Sequence, residues 1–305
     1  MACELQSMVQ HRSKLVLGTA QLGMNYGIAN TVGQQDTESA YAILKAAYES
    51  GTRFLDTAQH YGHSEQIIGS YIRNNRSHSF MVISKLHPDI NPANSAEIVG
   101  AVKRSYSTIG NTLEGLLVHN PAWLKSWNKG IGASIGECIE KQYIKAYGIS
   151  VYSPDELAQA LAVEDMSIFQ IPVNVFDRRF LESGLIPTAL AHRKTFFVRS
   201  VYLQGLLVMP IKKAVEKVPQ SKGYLERWHS YCREINREPG AVALQYVSTV
   251  FPEGYIIIGC ERPEQIITNY NWLADILPDS AVQEINSWPV PPSIVTNPVY
   301  WTRRQ

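Results

Sequence analysis

An aspartate, a tyrosine and two histidines fall within one short stretch of the sequence, FLDTAQHYGHSE at residues 54–65. Asp56 ends an apolar run, and Tyr61 follows it five residues later. His60 and His63 flank the tyrosine. A carboxylate with two histidines could hold a metal ion, whereas a phenol beside charged groups could deliver a proton. The rest of the chain has to distinguish a metal site, a surface turn and a proton-delivery site.

Two further polar residues stand at the ends of apolar runs, Lys85 in ISKL and His119 in LLVHN. Each alone has a structural explanation, since lysine can extend to solvent and histidine can bond a carbonyl. Together with Tyr61 they predict acid catalysis, because a buried ammonium stabilises a phenolate and should lower the pKa of the phenol. A carboxylate such as Asp56 keeps the lysine charged, and a histidine can orient the oxygen that receives the proton. This chemistry suits carbonyl reduction, with hydride supplied by a nicotinamide cofactor.

Eight short apolar, β-branched runs must position these residues. They are KLVLG (14–18), RFLDT (53–57), FMVISKL (80–86), LEGLLVH (113–119), IKAYGIS (144–150), SIFQIPV (167–173), TFFVRSV (195–201) and YIIIG (255–259). Such runs are typical of parallel strands that are buried on both faces. Helical patterns lie between them, for example residues 36–51 with a glycine stop at Gly51, and the helix that Ser153 and Pro154 begin.

This alternation predicts an α/β protein, a closed (β/α)8 TIM barrel in a single domain over residues 1–305. The barrel should span about 14–273, and the C-terminal tail, 274–305, should lie near the active-site mouth. An open doubly wound sheet would need a glycine fingerprint directly after the first strand, which is missing. The cluster GIGASIGE, 130–137, follows a polar turn and is interpreted as the start of a helix. Catalytic groups of barrels sit at the carboxyl ends of strands, so the four polar residues should share one mouth.

Composition excludes several kinds of partner. The chain has 305 residues, a formal net charge of +1 and scattered lysines and arginines, so we expect neither a nucleic-acid nor an anionic-membrane partner. No run approaches the roughly 20 apolar residues that span a bilayer. The four cysteines form no CxxC pair and are interpreted as reduced thiols. Without an apolar signal region at the N-terminus, a cytoplasmic protein is expected.

The ordered set of Asp, Tyr, Lys and His resembles that of the aldo-keto reductase family. LDTAQHYGHSEQIIG, 55–69, closely resembles the family's D-T-A-x-x-Y-G-x-S-E signature, and SKL and LLVHN resemble its lysine and histidine segments. YGIS (147–150), LQGLL (203–207) and IIIGCERPEQIITN (256–269) resemble its cofactor-binding segments. The resemblance covers most of the chain, about 14–273. It implies an NAD(P)H-dependent oxidoreductase that reduces an aldehyde or ketone, with sugar-derived carbonyls weakly preferred.

The resemblance also implies a role for each of the four polar residues. Asp56 would pair with Lys85, Tyr61 would be the proton donor, and His119 would orient the substrate. Ser150 and Gln170 would hold the carboxamide of the nicotinamide. Cofactor contacts are implied for Gly18, Thr19, Ala20, Asp56, Ser150, Gln170, Arg199, Ser200, Leu203, Gly205, Gly259, Arg262, Gln265 and Asn269.

Three positions depart from the family pattern. Val151 stands where the family commonly has asparagine, and Arg199 stands where an aromatic side chain often stacks on the nicotinamide. A planar guanidinium can also stack on a ring, so we expect Arg199 to do so. Arg262 should approach the 2′-phosphate of NADP, while the neighbouring Glu261 keeps NAD open. NADP(H) is therefore the preferred cofactor and NAD(H) the alternative.

Substrate-binding candidates are Tyr26, His119, Trp123 and Trp301, which lie in loops or in the tail. The substrate itself should be a small carbonyl compound, and the protein should be a monomer or a small homo-oligomer. No HxH or HExxH motif supports a metal site, so no metal is predicted and a metal-dependent hydrolase is the weakest alternative. A cofactor-binding homologue without activity stays open, although the complete set of four polar residues favours an enzyme.

Overall fold

Eight parallel strands close into a barrel in the order of the sequence, in a computed structural model that describes residues 14–301. The strands are β1 (Leu15–Gly18), β2 (Phe54–Asp56), β3 (Met81–Lys85), β4 (Gly115–Val118), β5 (Tyr147–Ser150), β6 (Ile168–Pro172), β7 (Thr195–Arg199) and β8 (Tyr255–Gly259). Each strand pairs with the next, and β1 pairs with β8 to close the ring. The predicted (β/α)8 barrel is confirmed, and each strand lies within its predicted apolar run.

Helices connect the strands and cover the outside of the barrel. They are α1 (Ala20–Gly23), α2 (Thr37–Glu49), α3 (Ser64–Asn74), α4 (Ser95–Ile109), α5 (Ile131–Glu140), α6 (Pro154–Leu161), α7 (Arg179–Glu182), α8 (Leu185–Ala191), α9 (Ile211–Lys217), α10 (Lys222–Glu234), α11 (Pro239–Val250), α12 (Pro263–Leu273), α13 (Asp279–Ser287) and α14 (Ser293–Thr296). Between residues 14 and 301, no helix is long and apolar enough to cross a membrane. Predictions that concern residues 1–13 and 302–305 lie outside the described residues.

Local sequence signals explain where the helices begin and end. Asp36 caps α2 by accepting a hydrogen bond from the backbone N–H of Ser39 at 2.7 Å. Ser153 is the N-cap of α6, as the sequence predicts, and it forms a capping box with Glu156. Gly51, with φ of +107°, ends the α2 segment in a conformation that favours glycine. The glycine-rich stretch 130–137 does begin a helix, α5.

The alternation of side chains along the strands divides the core into two layers. The inside of the barrel is filled by Val16, Phe54, Ile83, Leu117, Ala146, Ile168, Phe197, Tyr255 and Ile257. Their strand neighbours, such as Leu15 and Leu17, belong to the layer between the barrel and the helices. Because side chains alternate with a period of two, the inward positions continue to the carboxyl end of each strand. Those terminal inward positions are Gly18, Asp56, Lys85, His119, Ser150, Gln170, Arg199 and Gly259.

Arg178 anchors the C-terminal segment to the barrel. Its side chain is 5% exposed, and it donates to the backbone carbonyl of Val175 at 3.2 Å in the loop after β6. It also donates to the carbonyls of Asn286 at 3.3 Å and Trp288 at 2.9 Å, at the end of α13. One buried guanidinium therefore ties two distant segments together. That the tail lies near the active-site mouth stays a prediction.

Candidate active site

Asp56 and Lys85 form a buried ion pair at the carboxyl ends of β2 and β3. The side chains of Lys85 and Asp56 are 1% and 6% exposed. Lys85 Nζ lies 2.7 and 2.8 Å from the two carboxylate oxygens and 2.9 Å from the carbonyl oxygen of Thr57. Gln170 Nε2 adds a bond of 2.7 Å to Asp56 Oδ1. All three ammonium protons therefore have acceptors, which is the condition for burying a charge at tolerable cost.

Tyr61 is held beside this pair by a tight turn after β2. Its backbone N–H donates to the carbonyl of Ala58 at 2.9 Å, and the turn packs directly on α1. Only glycine fits at two places in this contact, since a Cβ at Gly23 would lie 1.9 Å from the Tyr61 carbonyl oxygen. A Cβ at Gly62 would lie 2.2 Å from the Gly23 carbonyl oxygen. The packing brings the Tyr61 ring centroid to 5.0 Å from Lys85 Nζ.

The protonation state of Tyr61 differs from the sequence-based expectation. Burial raises the pKa of the phenol above its ordinary value, and the negative charge of Asp56 raises it further. The expected net lowering of the Tyr61 pKa is therefore wrong for this arrangement. The physical reason is that burial and the charge of Asp56 outweigh the effect of cations on the phenol. Tyr61 consequently carries its proton at neutral pH, as a proton donor must.

His119 follows β4 and faces the edge of Tyr61. The two ring centroids are 6.4 Å apart, with the planes at 87°. Burial, followed by the charge of Lys85 and then that of Arg199, lowers the pKa of His119 to about 3. The imidazole is therefore neutral, with one N–H to donate and one nitrogen to accept. Its Nδ1 is buried and has no hydrogen-bond partner among residues 14–301. Tyr61 and His119 could thus bind one oxygen between them.

A cavity of about 500 Å³ adjoins this set. Twelve residues predicted to contact a cofactor line it: Gly18, Thr19, Ala20, Asp56, Gln170, Arg199, Ser200, Gly205, Gly259, Arg262, Gln265 and Asn269. Ser150 and Leu203 do not line it. Ser150 is 2% exposed and donates to Gln170 Oε1 at 3.4 Å, so it supports Gln170 from behind. Leu203 is fully buried in the hydrophobic core.

The end of the cavity near β8 is formed by the N-terminus of α12. Gln265 Oε1 accepts the backbone N–H groups of Glu261 at 2.6 Å and Arg262 at 3.2 Å, which fixes the loop before the helix. The Arg262 guanidinium forms no ion pair with any residue in 14–301 and lines the cavity. Asn269 uses its amide within the protein, because Nδ2 donates to the Gln265 carbonyl at 2.6 Å and Oδ1 accepts from the hydroxyl of Tyr202. A guanidinium at a helix N-terminus is suited to a phosphate.

Arg199 links two of the positions that depart from the family pattern. Its Nη2 donates to the backbone carbonyl of Val151 at 3.1 Å, and its guanidinium carbon lies 4.4 Å from the ring centroid of Tyr152. Nη1 donates to Ser200 Oγ at 3.3 Å. The guanidinium is thus fixed on the cavity wall by β5. The contact with Val151 could not be predicted from the sequence, because it depends on which neighbouring strand the long side chain of Arg199 reaches.

The loop between β1 and α2 crosses the cavity to the loop after β7. Ala29 N–H donates to the Gln204 carbonyl at 3.4 Å, and Gln204 Nε2 lies 3.5 Å from the hydroxyl of Tyr26. Several residues that line the cavity were not predicted from the sequence, namely Gln21, Asn30, Tyr202, Gln204, Thr268 and Trp272. The sequence feature that reflects this contact between the two loops is Gly205, because a Cβ at that position would lie 2.2 Å from Ala29 Cβ.

The four substrate-binding candidates have different surroundings. Tyr26 lines the cavity, and its ring centroid lies 6.5 Å from that of Tyr61. Trp123 is 4% exposed within the core between barrel and helices, so it offers little surface to a ligand. Trp301 is half-buried, donates from Nε1 to the Ile294 carbonyl at 2.9 Å, and does not line the cavity. His119 lies beside Tyr61, as described above. Of these candidates, Tyr26 and His119 lie near the phenol.

The histidines of the opening stretch do not form a metal site with Asp56. Asp56 is committed to Lys85 and Gln170, while His63 is exposed. Within the part of the chain that the structure describes, no group of three or more His, Cys, Asp or Glu side chains could hold a metal ion. This geometry gives the hydrolase alternative no support.

A closed barrel with polar side chains gathered at the carboxyl ends of its strands is the architecture of barrel enzymes. The chain belongs to the aldo/keto reductase family, whose model matches residues 14–288.

Curated relatives are distant in sequence. The chain is 26% identical over 205 residues to the aldo-keto reductase YhdN of Bacillus subtilis, a match that covers 64% of this chain and 60% of that protein. It is 22% identical over 306 residues to a D-threo-aldose 1-dehydrogenase of a Pseudomonas species, covering 86% of this chain and 92% of that protein. These relatives differ in what their names say they act on, so they do not fix one substrate.

Solved structures share the fold. The aldo-keto reductase AKR11C1 of Bacillus halodurans, in its holo form, matches with a TM-score of 0.73 and 23% identity, covering 90% of this chain and 92% of that one. An aldo/keto reductase of Klebsiella pneumoniae in complex with NADP and acetate matches with a TM-score of 0.69 and 17% identity, covering 92% and 93%. At these identities the likeness concerns the barrel itself.

Proposed function

We propose that this protein is an NADP(H)-dependent oxidoreductase that reduces an aldehyde or ketone to an alcohol, with Tyr61 as the general acid. The observation that carries the proposal is the contact of Tyr61 with the buried Lys85–Asp56 pair, beside a neutral His119 and a cavity of dinucleotide size. A protein that only bound a cofactor would have no need for a protonated phenol next to a buried ammonium.

The cavity is suited to a nicotinamide dinucleotide. Gly18 and Gly259, at the inward ends of the paired strands β1 and β8, line the cavity without side chains. Arg262 and the N-terminus of α12 would hold the 2′-phosphate. Glu261 also lines the cavity and could accept a ribose hydroxyl, so NAD(H) is the alternative cofactor. When bound, the cofactor supplies the hydride.

The side chains around the phenol would then complete the reduction. Tyr61 donates its hydroxyl proton to the carbonyl oxygen as negative charge develops there. Lys85 stabilises the phenolate that remains, and Asp56 holds Lys85 in position. His119, being neutral, donates one hydrogen bond to the same oxygen and so orients the carbonyl.

The decisive experiment is the variant Tyr61→Phe, which removes the proton and keeps the ring. We expect it to bind NADPH nearly as well as the wild type, measured by fluorescence titration, and to lose about 10²–10⁴ of the turnover. Tyr106→Phe, on the outer helix α4, is the control and should keep its activity. Retention of most activity by Tyr61→Phe would refute the assignment. Tight NADPH binding by the wild type without turnover of any carbonyl compound would favour the non-catalytic alternative.

We also propose that the protein works in the cytoplasm as a monomer or small homo-oligomer. Cys138, Cys232 and Cys260 are buried and form no disulfide, which suits a reducing compartment.

A further inference from the structure

Two further histidines, His60 and His87, form a pair at the mouth of the barrel beside the catalytic set. His60, next to Tyr61, has its Nδ1 3.3 Å from His87 Nε2 in the loop after β3. The two rings meet edge to face, with centroids 5.1 Å apart. The His60 ring centroid also lies 6.4 Å from that of His119. Three imidazoles thus follow one another away from the phenol, and the role proposed for Tyr61 uses only His119.

The outer histidine is fixed from below by Gln59. The backbone N–H of His87 donates to Gln59 Oε1 at 2.8 Å. The other end of that amide donates to the carbonyl of Ala101 at 3.0 Å and to Ser105 Oγ at 2.9 Å, both on α4. Gln59 is itself bonded through its backbone N–H to the Lys85 carbonyl at 3.1 Å. The position of His87 is therefore tied to the ends of β2 and β3 and to a neighbouring helix.

The hydrogen bonds around His87 determine which of the two histidines, His60 or His87, is the donor in the bond between them. The backbone N–H of Asp89 donates to His87 Nδ1 at 3.3 Å, so a neutral His87 carries its proton on Nε2 and donates to His60 Nδ1. His60 must then carry its own proton on Nε2. If His87 is protonated, its Nδ1 can turn to the Asp89 carboxylate, 3.7 Å away, and Nε2 still donates to His60. In both states His60 presents an N–H donor.

We propose that His60, oriented by His87, is a specificity-determining residue that donates a hydrogen bond to an oxygen on the carbon next to the reacting carbonyl. This inference rests on the proposed function. The His119 ring lies 6.4 Å from both the Tyr61 and the His60 rings, so it neighbours both of them. In the proposed arrangement the carbonyl oxygen binds to Tyr61 and His119, and the oxygen on the adjacent carbon faces His60. A substrate without that oxygen leaves the donor unused.

The test compares glyceraldehyde with propanal, which lacks the neighbouring hydroxyl. The measured quantity is the ratio of the two kcat/KM values, followed by NADPH absorbance in the wild type and in His60→Phe. We expect the wild type to favour glyceraldehyde and His60→Phe to lower the ratio about 3- to 10-fold, the usual range for one neutral hydrogen bond. His63→Phe is the matched control, because His63 is an exposed neighbour whose side chain bonds to no residue in the described range.

Two further variants separate binding from a general disturbance of the loop. His60→Gln keeps an N–H donor and should recover part of the glyceraldehyde-to-propanal ratio. His87→Phe removes the bond that orients His60 and should lower the same ratio, mainly by raising KM for glyceraldehyde rather than by lowering kcat. An unchanged ratio in His60→Phe, or equal loss in His63→Phe, overturns the inference and leaves the proposed function intact. If neither compound is reduced although NADPH binds, the proposed function fails and the inference fails with it.

Discussion

Replacing Lys85 by methionine should destabilise the fold far more than any loss of surface charge. The Lys85 side chain is 1% exposed and supplies three hydrogen bonds, two of them to Asp56. Without the ammonium, the Asp56 carboxylate stays buried with Gln170 as its remaining side-chain donor. Leaving one partner of a buried ion pair uncompensated costs about 3–5 kcal/mol. That is a large share of the roughly 5–15 kcal/mol that holds a typical domain together.

Removing both charges should cost much less than removing one. In the double variant Lys85→Met with Asp56→Asn, no ion is buried, and such exchanges are often close to neutral. Urea unfolding followed by circular dichroism gives the free energy of unfolding of each variant. The control is Lys45→Met on α2, whose pair with Glu49 has side chains 61% and 55% exposed and should contribute only about 0–1 kcal/mol. A Lys85→Met cost no larger than that of the control, or a double variant less stable than both singles, would refute the argument.

Three further predictions concern His119, Arg262 and Gly205. In the folded protein the pKa of His119 is lowered from 6.5 to about 3. As the pH falls from 6.5 toward 3, the unfolded chain therefore binds a proton at His119 and the folded protein does not, so the free energy of unfolding decreases. As the pH is lowered through this range, the urea concentration at the midpoint of unfolding should therefore decrease less for His119→Asn than for the wild type. Arg262→Ala should raise KM for NADPH much more than for NADH, and equal effects would mean that Arg262 does not meet the 2′-phosphate. Gly205→Ala, with φ of +93° and a Cβ 2.2 Å from Ala29, should weaken NADPH binding in titrations, and adding Ala29→Gly should restore part of it.

The alternation of side chains made most of the candidate site predictable. Buried runs fixed the strands, and a residue two places beyond an inward one must again point inward. Phe54 fills the barrel and Asp56 follows it, and the same step leads from Ile83 to Lys85 and from Ile168 to Gln170. Since parallel strands of a barrel end at one mouth, these polar residues had to meet there.

What the sequence did not predict depends on packing between distant segments. Trp123 could have been a mouth aromatic or a core residue, and only the helices around it decide that it is buried. Leu203 lies in a segment that resembles a cofactor loop, yet its side chain turns into the core. The pairing of His60 with His87 joins residues 27 apart in the sequence, through two loops that the amide of Gln59 connects.

A second cation besides Lys85, the guanidinium of Arg199, acts on the phenol of Tyr61. The sequence pointed to Lys85, whose Nζ lies 5.0 Å from the Tyr61 ring centroid and is bound by both carboxylate oxygens of Asp56. The positive charge that does lower the pKa of Tyr61, against burial and Asp56, belongs to Arg199. Arg199 is free to act because its own partners, the Val151 carbonyl and the ring of Tyr152, are uncharged. A departure from the family pattern on β7 therefore adds a cation that opposes the effect of burial on the pKa of Tyr61.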